Sequence, residues 1–182
     1  SKHFLSKFFG PQIIGQYDNK IYLGGYYIIM KQKKYLGNYS MVGSFDIESN
    51  TFEVILDKIS FASNTHIYGK LMKGENLYLI IGSDHLYDKP IKQDASYHLI
   101  KYNVEKKEKT VYHFPANKLN RLPSSGVAEM SLIFSAAGNI NIFINMNRTT
   151  KKNVFGNRLS EHYKLLNGEL VLQYEYKNRA FS

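Results

Sequence analysis

The chain has 182 residues, of which 43% are apolar and 14% aromatic; that composition suits one packed domain, or part of a larger one, and argues against global disorder. Its net charge of +9 favours anionic partners, and the absence of cysteine excludes disulfides and thiolate metal sites. No apolar run is long enough for a membrane span, and nothing in the composition assigns a cellular compartment. Tyr (15) and Phe (11) supply the aromatics, and with many Ile and Val they favour strands over helices.

In chain order, the start, Ser1 to Phe9, is too short and broken for a signal peptide. Phe4, Leu5, Phe8 and Phe9 precede Gly10-Pro11, a spacing that fits one helical turn or an isolated strand. From Gln12 the pattern repeats. A first unit spans about 12–57. It predicts a strand at Ile13 to Tyr17, a turn at Asp18-Asn19, a strand from Lys20 to Ile29 and a loop from Met30 to Gly37. Strands from Tyr39 to Ile47 and from Thr51 to Leu56 then flank the turn Glu48-Ser49-Asn50. Gly24-Gly25 marks a place where the backbone turns or approaches something closely.

A second unit spans about 66–115. Its strands are expected at His66 to Met72, Leu77 to Gly82, Tyr97 to Tyr102 and Thr110 to Phe114. The loop Ser83 to Asp94 joins the middle pair, and the last turn reads two residues longer than its counterpart in the first unit. The third unit, about 128–177, has strands at Glu129 to Ser135, Ile140 to Asn145, His162 to Leu166 and Glu169 to Tyr176. Its loop runs from Met146 to Leu159. Asn167-Gly168 between apolar runs is a strong hairpin signal.

Tyr22, Tyr78 and Phe143 fall at equivalent places, as do Phe45, Tyr102 and Tyr163, giving a period of about 56 to 65 residues. Ile21-Tyr22-Leu23-Gly24-Gly25-Tyr26, followed by Phe45 and Phe52 seven apart around a turn, resembles a kelch repeat. That family has a Gly-Gly pair after its second strand, then an aromatic and a Trp at this spacing. Here Phe52 stands in the Trp position, Ile81-Gly82 replaces Gly-Gly in the second unit, and Asn145-Met146 does so in the third.

The expected fold is all-β and propeller-like, with three four-stranded antiparallel blades in a single domain or fragment spanning 1–182; a β-sandwich is the alternative. Propellers close with about 4–8 blades. Three blades would therefore leave two apolar faces to be covered, by another protein chain or by the missing blades of the ring.

Candidate sites follow from the loops between second and third strands, which the resemblance places on one rim. They carry Lys31, Lys33, Lys34 and Tyr35; Tyr87, Lys89 and Lys92, with Asp84, Asp88 and Asp94 among them; and Arg148, Lys151, Lys152 and Arg158. Such a rim would attract an acidic protein or an acidic glycan. Tyr26, Tyr27 and Tyr39 lie beside it, either as stacking platforms for a ligand or as packing. His98 and His113 face each other across a predicted hairpin without a third ligand at metal spacing, whereas His66 and His85 read as isolated. Asp46 is expected to cap its own turn. Asn38-Tyr39-Ser40 and Asn147-Arg148-Thr149 match the N-glycosylation triplet and fall in or beside the expected loops.

No Gly-x-Ser-x-Gly motif and no phosphate-binding glycine loop occurs, so no cofactor, metal or catalytic residue is predicted. The reading is a non-catalytic binding module. Part of a propeller hydrolase or lyase acting on carbohydrate is one alternative, since paired carboxylates converge only in space. A nucleic-acid-binding domain is the other.

Overall fold

A computed structural model describes residues 9–59, 65–83, 97–114, 127–135, 137–147 and 158–178. They form strands and tight turns, with no helix among the described residues. The first sheet contains β1 (Phe9–Tyr17), β2 (Lys20–Lys31), β3 (Lys34–Asp46) and β4 (Thr51–Ile59). The second contains β5 (Thr65–Lys73), β6 (Asn76–Ser83), β7 (Tyr97–Asn103) and β8 (Glu108–His113). The third contains β9 (Val127–Phe134), β10 (Ile140–Asn147), β11 (Arg158–Leu166) and β12 (Glu169–Asn178). Each sheet is an antiparallel meander of consecutive strands, and no strand is exchanged between sheets.

The middle sheet is apolar on both faces, and its strands show why. Leu77 to Ile81 is a continuous apolar run, the pattern of a strand with both sides buried. Leu77, Leu79 and Ile81 point towards the first sheet, where they meet Tyr22, Val42 and Leu56. Tyr78 and Ile80 point the other way, onto Ile140, Ile142, Ile144 and Tyr163 of the third sheet. The period-two alternation of strand side chains thus divides one apolar run between two interfaces.

The equivalences seen in the sequence are matched by register. Tyr22 pairs with Ser44, Tyr78 with Lys101 and Phe143 with His162. One position earlier, Ile21, Leu77 and Ile142 pair with Phe45, Tyr102 and Tyr163.

The turns repeat as well. Asp46 and Asn103 each close a four-residue loop, paired with Thr51 and Glu108 respectively. Asp46 Oδ1 accepts from Ser49 N at 2.9 Å, and Asn103 Oδ1 accepts from Lys106 N at 2.9 Å. Each loop ends on a left-handed residue, Asn50 at φ 54° and Lys107 at φ 56°. Ile47 N donates to Asn19 O, and Val104 N to Glu75 O, both at 2.9 Å. The expected two-residue excess in the second loop is therefore absent. Lys109, opposite Tyr102, occupies the place of Phe52. The cap expected of Asp46 is present, and the bond from Ser49 lowers its carboxyl pKa.

Gly24 lies within a continuous strand, so the glycine pair is not a turn. It is a close approach: a Cβ there would sit 2.9 Å from Ile67 Cδ1 of the second sheet and 3.1 Å from Ile14 Cδ1. Strand propensity alone would favour valine at this position, so the sign of the effect is diagnostic. Gly24→Val should destabilise the fold by about 1–3 kcal/mol through overpacking, read as a lowered urea midpoint; unchanged or raised stability would remove the close-packing account.

Candidate functional site

The three sheets are stacked in the same sense. The Tyr17 hydroxyl, beside the β1–β2 turn, donates to the Glu105 carboxylate in the β7–β8 turn. At the opposite end of the strands Tyr26 meets His66 edge-on, with ring centroids 6.5 Å apart. Lys73 Nζ lies 3.2 Å from where a Cβ of Gly138 would be, which brings the first turns of the second and third sheets together. The short hairpin turns thus share one end of the stack. The connections from β2 to β3, β6 to β7 and β10 to β11 leave from the other end.

At that end the expected loop from Met30 to Gly37 is instead strand. β2 and β3 stay paired as far as Lys31 and Lys34. Gln32 (φ 51°) and Lys33 (φ 63°) form a two-residue turn with both central residues left-handed, the type I′ geometry that suits strand twist. Gln-Lys lacks the Asn or Gly usual there, and the dense lysines read as loop. β1 pairs with β2 only as far as Tyr26, so the hairpin projects about 16 Å beyond it at roughly 3.3 Å per residue.

A bare two-stranded ribbon is marginal in water. This one is supported at its base by Tyr27 and Tyr39, stacked across the strands at 5.7 Å. Burial, helped by the negative charge of Asp57, pushes the Tyr27 phenol up to about 12. Those two tyrosines therefore pack the scaffold. The tip holds Lys31, Lys33 and Lys34 within four positions, and Lys33 is exposed. Tyr35 pairs with Met30 on the same arm, and Arg158 opens β11 opposite Asn147 and Asn178. Tyr87, Lys89, Lys92, Arg148, Lys151 and Lys152 lie outside the described residues, as do Asp84, Asp88, Asp94 and His85.

Several other candidates resolve into structure. His98 and His113 are cross-strand partners packed edge to face at 4.8 Å. Among the described residues no group of three or more His, Asp or Glu side chains is placed to hold a metal. Asn38 is buried within β3 and Ser40 is fully buried, so the first glycosylation triplet is not an exposed loop; the longer hairpin is the reason. His66 is not isolated, since it packs against both Tyr26 and Tyr68.

Sequence reasoning missed a cleft of about 160 Å³ between the first two sheets, lined by Gln12, Tyr26, Ser40, His66 and Lys70 with the backbone of Gly24 and Gly25. Lys70 Nζ donates to Gln12 Oε1. Burial lowers the Lys70 pKa, and among the described residues no carboxylate lines the cleft. Gly24-Gly25 and the neighbouring Tyr26 are the sequence signals that fall here, because Ser40, His66 and Lys70 converge solely through the stacking of sheets.

The third sheet leaves one face open. Phe143, His162 and Tyr174 stack across three strands at 4.5 Å and 5.9 Å. Tyr22 and Tyr78, the counterparts of Phe143, are 4% and 8% exposed beneath the next sheet, whereas Phe143 is 38% and Tyr174 73% exposed. Compared with known proteins, the chain matches no family model and no curated sequence.

Proposed function

We propose that the chain is a non-catalytic binding module that forms part of a kelch-like β-propeller and takes an anionic partner, an acidic protein or acidic glycan, on the basic end of its sheets. The observation that carries this reading is the lysine-tipped β2–β3 hairpin, projecting from the end where all three second-to-third strand connections emerge. Three lysines within four positions of the chain concentrate positive charge at the tip, which favours an anionic surface. Stacked meander sheets without strand exchange support the propeller over the sandwich. The Gly24-Gly25 and Phe45/Phe52 set that carries the kelch resemblance lies in one sheet, with Phe45 directly opposite Phe52. The open Phe143–His162–Tyr174 face would be covered by a further sheet, from another chain or from further sequence.

Charge reversal tests the basic surface. Changing Lys31, Lys33, Lys151 and Lys152 to Glu should lower affinity for immobilised heparin and polyglutamate at least about tenfold, with unchanged circular dichroism. Retained binding would sink the proposal. Tighter binding to single-stranded DNA than to either polyanion, falling steeply with salt, would move the function to nucleic acid.

A further inference from the structure

We propose that the cleft between the first and second sheets is a binding site for a small carboxylate group. Its lining is rich in hydrogen-bond donors. Lys70 brings an ammonium, which donates three hydrogens and accepts none. Gln12 spends its carbonyl oxygen on Lys70, which leaves its amide hydrogens as donors to the cleft. The Ser40 hydroxyl is fully buried and makes no hydrogen bond among the described residues. Its backbone N–H is already committed to Thr65 Oγ1 at 2.8 Å.

A buried hydroxyl without a partner costs about 1–3 kcal/mol, and a half-buried ammonium without a counter-charge is destabilised by lost hydration. A small monoanion supplies a counter-charge for the ammonium and, with the Ser40 side chain turned towards the cleft, an acceptor for its hydroxyl. Among the described residues the lining supplies no carboxylate, so a ligand's charge would be the ammonium's counter-charge there. Burial lowers the Lys70 pKa, and a bound carboxylate would raise it again.

Size and charge narrow the ligand class. A volume of about 160 Å³ has room for acetate, a small hydroxy acid or the terminal carboxylate of a peptide. A single ammonium matches a monoanion better than a phosphate dianion, for which forked arginine contacts are the usual solution. The site stands on the cleft alone and does not require the basic hairpin tip.

The test is an amide NMR titration of the intact chain with acetate, lactate, acetyl-dialanine and its C-terminal amide. Acetamide, and sodium chloride at matched ionic strength, serve as references. Saturable shifts at Gly24, Gly25, Ser40 and His66 in the millimolar range are expected with the carboxylates and absent with the amides. Response to acetate and lactate alone assigns a free acid; response to acetyl-dialanine assigns a chain terminus as well. Lys70→Met should weaken acetate binding at least about tenfold and Ser40→Ala several-fold, while the hairpin charge-reversal variant should bind acetate as the parent does. No saturation by about 100 mM, an equal response to acetamide, or unchanged affinity in Lys70→Met would overturn the site. The titration of the parent chain decides the matter even if a variant fails to fold.

Discussion

Tyr163→Ala should cost about 3–5 kcal/mol, the largest loss expected from any single substitution described for this protein. Tyr163 is the largest of the fully buried side chains among the described residues. It sits on β11 opposite Ile142 and Leu172, and its ring meets Phe114 edge-on at 5.2 Å and 85°. Truncation would leave a cavity where the second and third sheets join, bounded by two sheets whose hydrogen-bonded strands resist collapse.

Part of that loss belongs to the hydroxyl. The Tyr163 hydroxyl donates to Glu161 Oε2 at 2.7 Å, and Glu161 is itself only 2% exposed. The two residues are two apart on one strand and so share a face. Burial, followed by the bond to Glu161 and its charge, raises the phenol pKa, so the group remains a donor at all ordinary pH. Removing it takes a donor from a buried carboxylate, a loss of about 1–3 kcal/mol.

Tyr163→Phe separates the two costs, because it keeps the ring and deletes the donor. The expected order of urea midpoints is parent, then Phe, then Ala. For a domain of total stability about 5–15 kcal/mol the alanine change removes a large share. A loss below about 1 kcal/mol for Tyr163→Ala would mean that the second and third sheets do not share this core.

Residue patterning made the strands legible because each sheet is local. Antiparallel neighbours joined by short turns reveal themselves through alternation and turn residues. Asn167-Gly168, both left-handed at φ 49° and 85°, shows the rule at its strongest. The Gln32-Lys33 turn has the same geometry without the residues that announce it, so the arm around it read as loop. Contacts between sheets were legible only where the sequence permits close approach, as at Gly24. Nothing along the chain joins Ser40 to Lys70, thirty residues apart. Their meeting depends on how β3 and β5 lie against each other, and that is decided by the packing of Tyr22, Val42 and Leu56 on the middle sheet. Of the basic residues in the second and third connections, Arg158 is held by pairing with Asn147 and Asn178, and Lys89, Lys92, Arg148, Lys151 and Lys152 lie outside the described residues. For those, sequence supplies their charge and the fold supplies only the end of the stack from which they leave.

His98 makes the fold acid-sensitive. It lies on β7 in register with Ile81 on one side and His113 on the other, and it is 8% exposed. Loss of hydration on burial, with a smaller contribution from the charge of His113, lowers its pKa from 6.5 to about 4. A folded-state value below the unfolded one means that the unfolded chain takes up the proton first. The stability carried by neutral His98 is therefore complete above pH ~6.5, declines as pH falls towards ~4, and changes no further below that. The full difference corresponds to about 3 kcal/mol, of which about 2 kcal/mol should be lost between pH ~7.5 and ~5, above the range where most carboxylates titrate. His162 shifts in the same direction, through desolvation and then Lys164, so replacing His98 should leave a residual slope. The readout is the pH dependence of the urea midpoint in the parent and in His98→Gln, which removes the proton site while keeping a polar side chain of similar size. His98→Gln should flatten most of the decline whatever its absolute stability. Equal slopes in the two proteins would mean that burial does not hold the folded-state pKa of His98 below its unfolded value.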